Sequence, residues 1–152
     1  MNKKYGITGL LVIVVLATVL VSGCIGEENK FTNTVTFEGM TFYLPDGFKS
    51  VHKEQSEYMP GLSEVFSDGS YNITIGSLGN ISKSSFLDIL KLMPEVTNVD
   101  ESASYGGYSG VSVEASDNGT TEKIFVFEKD GKTFGITMDI KHFNEVVPKM
   151  FG

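Results

Sequence analysis

Apolar and polar positions divide the chain into three parts. Residues 7–21 are almost wholly apolar, broken only by Thr8, Gly9 and Thr18. Residues 25–33 are largely polar, with Glu27, Glu28, Asn29 and Lys30. From residue 34 the pattern becomes that of strands and amphipathic helices. Val35 and Phe37 alternate with threonines, and Met40, Phe42 and Leu44 alternate with Thr41 and Tyr43. This predicts two short strands turning at Glu38-Gly39. Pro45-Asp46-Gly47 ends the second, and residues 49–60 read as polar and irregular. Residues 62–78 read as a hairpin about Asp68-Gly69, with Tyr71, Ile73 and Ile75 on one face of its second arm.

The period changes at residues 82–94. Phe86, Ile89, Leu90 and Met93 form a helical stripe, with Ser82 as N-cap and Pro94 as stop. Three strands follow a polar stretch. Val111, Val113 and Ala115 alternate in the first, and Asn118-Gly119 turns into the second. Residues 123–128, KIFVFE, are apolar on both faces and predict a central strand. After Asp130-Gly131, the alternation of Phe134, Ile136, Met138 and Ile140 predicts the last strand. Phe143, Val146, Val147 and Met150 mark a terminal helix, which Pro148 should end or kink near Val147. Tight turns between successive strands predict an antiparallel sheet of about six to seven strands with two packed helices, an α+β domain.

The apolar start has its own chemistry. Lys3 and Lys4 precede the apolar run, and small Ser22 and Gly23 lead into Cys24, the only cysteine. A basic start, an apolar stretch and small residues before a cut site describe a secretory signal. Val21-Ser22-Gly23-Cys24 also resembles the lipobox of bacterial and archaeal lipoproteins. That resemblance implies lipid on the Cys24 thiol and cleavage just before it. An uncleaved membrane helix is the other reading, since Ile7 to Ile25 also reaches the roughly 17–25 residues that cross a bilayer. Both readings keep the lysines on the cytoplasmic side and everything after Cys24 outside. The expected organisation is a signal peptide or membrane anchor helix at 1–23, a polar tether at 24–33 and an α+β domain at 34–152. At ~3.3 Å per residue, the tether from Ile25 to Thr32 reaches at most about 30 Å. The expected address is the cell membrane, anchored on its extracytoplasmic face.

The order of elements, with the LPDGF turn at 44–48 after an early strand, resembles the PsbP-like superfamily. That superfamily includes photosynthetic extrinsic subunits, bacterial DcrB-type lipoproteins and small lipoproteins of methanogenic archaea. The resemblance spans roughly residues 34–151 and implies a sandwich fold in a non-enzymatic binding, assembly or accessory protein. No family ligand residues carry over, because no matching motif for them is present.

Charge narrows the partners. The net charge is −7, and loss of Lys3 and Lys4 on cleavage takes it to −9; arginine is absent. Such a surface repels phosphate backbones and lacks the usual base reader, so nucleic acid is not an expected partner. The expected partners are the membrane, through lipid or helix, and an envelope protein.

Catalytic signals are sparse. His52 lies near Glu54 and Glu57, and His142 opens the terminal helix with Glu145 three residues on. A zinc site usually needs three or four nitrogen or sulfur ligands, so surface histidines are the plainer reading. Ser109 in GYSGV lacks the final glycine of a nucleophile elbow. No phosphate loop or calcium loop is legible, so neither a cofactor nor a metal nor a catalytic residue is expected. The alternative is a small extracytoplasmic hydrolase using carboxylates or His52.

Three sequons, at Asn72, Asn80 and Asn118, are acceptors if the cell glycosylates its exterior, and otherwise stay unmodified. Tyr105 and Tyr108 flank Gly106-Gly107, and a turn of this composition suits partner contact. The other reading is that both rings pack back onto the sheet.

Overall fold

The computed structural model describes residues 30–55 and 61–152. The expected signal helix, the cut site and Cys24 lie outside the described residues.

The domain is mostly antiparallel sheet with two helices, an α+β arrangement. Strands β1 (Asn33–Phe37) and β2 (Met40–Leu44) form a separate hairpin. An eight-stranded sheet holds β3 (Lys49–Gln55), β4 (Leu62–Ser67), β5 (Asn72–Ser77), β6 (Val96–Asp100), β7 (Ser104–Tyr105), β8 (Tyr108–Asp117), β9 (Thr120–Lys129) and β10 (Lys132–Asp139). Its spatial order is β3-β4-β5-β10-β9-β8-β6, with the short β7 paired to β8. Helix α1 spans Lys83–Leu90 and helix α2 spans Ile140–Val146. A 3-10 turn, Val147–Phe151, follows α2.

The turns explain the register. Glu38-Gly39, Asn118-Gly119 and Asp130-Gly131 all have positive φ at both central positions. That geometry matches the twist of two-residue hairpins. It fixes the β8–β9–β10 meander residue by residue: Lys129 faces Lys132, Phe127 faces Phe134, and Phe125 faces Ile136. Val126 faces Val111 on the other neighbour. Phe125, Val126 and Phe127 are fully buried, as expected for an interior strand.

Several expectations need correction. Residues 49–55 form β3 rather than an irregular segment. Their polarity belongs to a sheet edge, and a bulge between Ser50 and His52 breaks the alternation. A similar bulge between Val96 and Asn98 hid β6, the strand at the opposite edge. The main sheet therefore has eight strands, not six to seven. Ile140 opens α2 instead of closing β10, because the Asp139 side chain accepts from the Lys141 N–H and starts the helix there. In α1, capped by Ser82 as expected, Leu87 packs inward while Ile89 is 44% exposed. The terminal helix changes to the 3-10 turn at Val147, next to Pro148.

Two cores lie on the two faces of the sheet. On one face, Ile73, Ile75, Phe125, Phe127, Phe134, Ile136 and Met138 meet the β1–β2 hairpin, α2 and the 3-10 turn. On the other, Val111, Val113 and Val126 meet Leu78, the Phe86, Leu87 and Leu90 side of α1, and Met93 just beyond the helix, which ends at Leu90 short of the expected stop at Pro94.

Candidate functional site: the uncovered half of a sheet face

Side chains alternate across a strand, so the register assigns each residue to a face. The face under α1 carries Val111, Val113 and Ala115 from β8, and Glu122, Ile124 and Val126 from β9. It continues with Thr133, Gly135, Thr137 and Asp139 from β10, then Thr74 and Gly76 from β5. Ser63 and Val65 from β4 and His52 from β3 complete it. Helix α1 packs on the β8–β9 side, with Leu78 beyond the end of β5. Among the described residues, nothing lies within 4 Å of where a Cβ on Gly135 would sit. At Gly76 the only neighbours at that range belong to the adjoining strand, Leu62 and Ser63.

The result is a step. Its floor is Ile124, Thr137, Gly135, Thr74 and Val65, half-buried apart from Thr137, which is 8% exposed between Ile124 and Thr74. Its riser is one flank of α1. Lys91 pairs with Glu101 at 2.5 Å, which turns that flank of the helix toward the β6 edge. Ile89 lies on the opposite flank by helical spacing and overlooks the floor.

Glu122 and Asp139 close one end of the floor, directly opposite each other across β9 and β10. Like charges so placed are unfavourable. Asp139 is occupied by the Lys141 N–H at 2.8 Å. No cation of the described residues pairs with Glu122. Burial, and then the Asp139 charge, push the Glu122 carboxyl up to about 7. Sequence reading passed over this pair, although the Asp130-Gly131 turn supplied the signal. Counting outward from a two-residue turn sets Glu122 against Asp139.

The residues singled out from the sequence do not converge. His52 is exposed on β3, on the uncovered side, while the Glu57 expected near it lies outside the described residues. His142 is on the other face, stacked on Tyr71 with ring centroids 4.2 Å apart. Among the described residues the Tyr71 hydroxyl has no hydrogen-bond partner, and burial, then Asp68 and Glu145, push it up to about 12. Ser109 is an exposed strand residue opposite Ser104, not a strand-to-helix elbow. No group of three or more metal-ligating side chains occurs among the described residues.

Tyr105 and Tyr108 face each other across the Gly106-Gly107 turn, and both rings pack inward. Tyr105 meets Phe125 at 4.9 Å and Phe143 at 5.4 Å. Tyr108 meets Phe127 at 5.2 Å and Phe151 at 4.9 Å. Both remain partly exposed, with Lys123 over one ring and Lys129 over the other. Of the sequons, Asn80 and Asn118 are exposed, the latter at a hairpin tip. Asn72 is half-buried at the start of β5.

The N-terminal approach is fixed on the covered side. The Lys30 carbonyl accepts from the Asp46 N–H at 2.8 Å, and Asn33 donates to the Phe48 carbonyl at 2.6 Å. Phe31 packs against the aromatic core under Lys149. Two hydrogen bonds from Thr32 hold the Asp46 carboxyl below its ordinary range. No helix of the described residues is long and apolar enough to cross a membrane. Comparison with protein-family models and with curated proteins finds no match to this chain.

Proposed function

We propose that the protein is a lipoprotein anchored through Cys24 on the extracytoplasmic face of the cell membrane, where it serves as a non-catalytic binding or assembly module. Its contact surface is the uncovered half-face. The observation that carries this reading is the opposition of two surfaces. The chain arrives on the covered side, at Lys30 and Phe31, and the uncovered half-face lies across the sheet from it. A short tether at the first surface leaves the second turned toward neighbours. The order of strand pairs, helix, meander and helix supports a PsbP-like sandwich. Tyr105 and Tyr108 form a lesser candidate surface, since both are only partly exposed and pack against the core.

One feature favours the hydrolase alternative: Glu122, a carboxyl near neutrality, could carry a proton. His52 stands four strands away on the same face, roughly 19 Å at strand spacing, too far to share a substrate bond with it.

Intact-mass analysis of membrane-extracted protein should show a chain beginning at Cys24 with added lipid mass, and Cys24→Ala should remain uncut. A start at Met1 with an unmodified thiol would replace the lipid anchor by a membrane helix. A photoreactive residue at Thr74 should give a discrete crosslinked product in native membranes. The same residue at Asp130, on a hairpin tip, should not. Equal products at both positions would remove the uncovered half-face from the proposal.

A further inference from the structure

We propose that the uncovered half-face takes a cationic protein segment, with a lysine or arginine side chain settling at Glu122 and Asp139 and apolar side chains lying along Ile124, Thr137, Thr74 and Val65 beside Ile89. This rests on the reading of that face as the contact surface, and adds the chemistry of what it contacts.

Two independent observations lead there. The first is shape. The floor over Gly135 is open among the described residues and built from small or β-branched residues, with the exposed Ile89 on the flank of α1 away from β6. A row of apolar side chains can lie over Gly135 without displacing any of the described residues. The second is charge. The sequence sets two carboxylates opposite each other at the end of that floor and supplies no cation to Glu122. The neighbouring elements do not repair this. Around the pair, β8 ends in Asp117 and β6 is preceded by Glu95, both acidic. Lys141, the nearest lysine in sequence, is exposed on α2 and contributes its backbone N–H to Asp139. Lys123, adjacent to Glu122, points to the opposite face, where it pairs with Glu114 at 3.6 Å. Among the described residues, Lys49 is the one strand lysine of the uncovered half, at its far edge on β3, across β4 and β5 from Asp139. An incoming cation therefore meets carboxylates at this end of the floor and no competing ammonium beside them. A partner bringing a carboxylate would meet repulsion at the same place.

Protonation gives the proposal a signature. Glu122 is mostly protonated at pH 6 and mostly ionised at pH 8, since its carboxyl titrates at about 7. A cation binds the ionised form better, so binding should tighten between those two values and release a proton.

The probe is a synthetic nine-residue peptide of alternating valine and lysine, titrated into the purified domain with its tether and followed by amide NMR shifts. Shifts should concentrate on Thr74, Gly135 and Ile124. Affinity should rise from pH 6 to pH 8. Glu122→Gln should weaken binding roughly fivefold at pH 8 and abolish the rise. Gly135→Leu, filling the floor without touching the carboxylates, should weaken it as well. Asp130→Asn removes the same charge from a distant hairpin tip and should change nothing. Equal weakening by Asp130→Asn and Glu122→Gln would overturn the proposal, because the peptide would then be responding to net charge. So would unaltered binding in Gly135→Leu, or an absence of binding by this peptide at pH 8. If the Thr74 crosslink persists while the peptide fails, the contact surface stands and the cationic chemistry does not.

Discussion

The two faces of one sheet solve burial differently. The covered face is aromatic: Phe125, Phe127 and Phe134 stack in a row with Tyr108 beside Phe127, and Phe42 and Phe151 close over them. The other is aliphatic where α1 sits and threonine- and glycine-rich where it does not. Large rings need a cover, because their area in water is costly. Threonine and glycine can end a face without one. The same strands therefore hold the fold on one side and present a surface on the other.

The comparison is most easily broken at Phe127. It is fully buried and touches Phe125, Phe134, Tyr108 and Phe151. Phe127→Ala should cost about 4 kcal/mol, read from denaturant unfolding. A loss under about 1 kcal/mol would mean that the aromatic face is not the main source of stability.

The tyrosine turn sharpens the boundary between core and surface. Replacing Tyr105 and Tyr108 together by serine should cost about 3 kcal/mol, because both rings lie on buried phenylalanines. An unchanged melting temperature would return the turn to the list of contact surfaces. Gly106 bears on the same point. Its φ is +56°, and a Cβ there would run into the Phe151 ring.

A smaller effect belongs to the open side. The Glu122 carboxyl, ordinarily near 4.5, sits at about 7 in the folded chain. A raised folded value gives a contribution that is complete below the unfolded value and lost as pH rises through the folded one. Stability should fall between about pH 4.5 and 7 through this group, by about 1 kcal/mol because part of the carboxyl still meets water. Glu122→Gln should flatten that segment of the pH–stability curve. A profile identical to the parent's would show that Glu122 is not under strain.

Sequence reading was strongest where local rules decide. The positive-φ turns at Glu38, Asn118 and Asp130, the alternation in β9 and the Ser82 cap were all legible from neighbours in the chain. It failed at the sheet edges, where the bulges at Ser50–His52 and Val96–Asn98 shift the pattern by a residue. It also failed at Ile140, where an aspartate cap outranks an apolar alternation. The uncovered half-face was not legible at all. It depends on which strands α1 spans, a tertiary fact that no segment of sequence carries. Glu122 and Asp139 were within reach by counting from a turn, but only their place at the end of an uncovered floor makes the pair informative.

The strand order has a consequence for how the chain acquires its shape. β5 and β10 form the seam at the middle of the sheet, pairing Ile75 with Ile136 and Thr74 with Thr137. Everything from β3 to β5 joins the meander through that seam, and β10 is the last strand to be made. The earlier hairpins can form in microseconds on their own, but a pairing so distant in sequence must wait for a large loop to close. Assembly of the sheet is thereby tied to the arrival of its final strand. Until that seam closes, β5 has only β4 beside it, and Ile75 lacks the Ile136 that lies opposite it in the finished sheet.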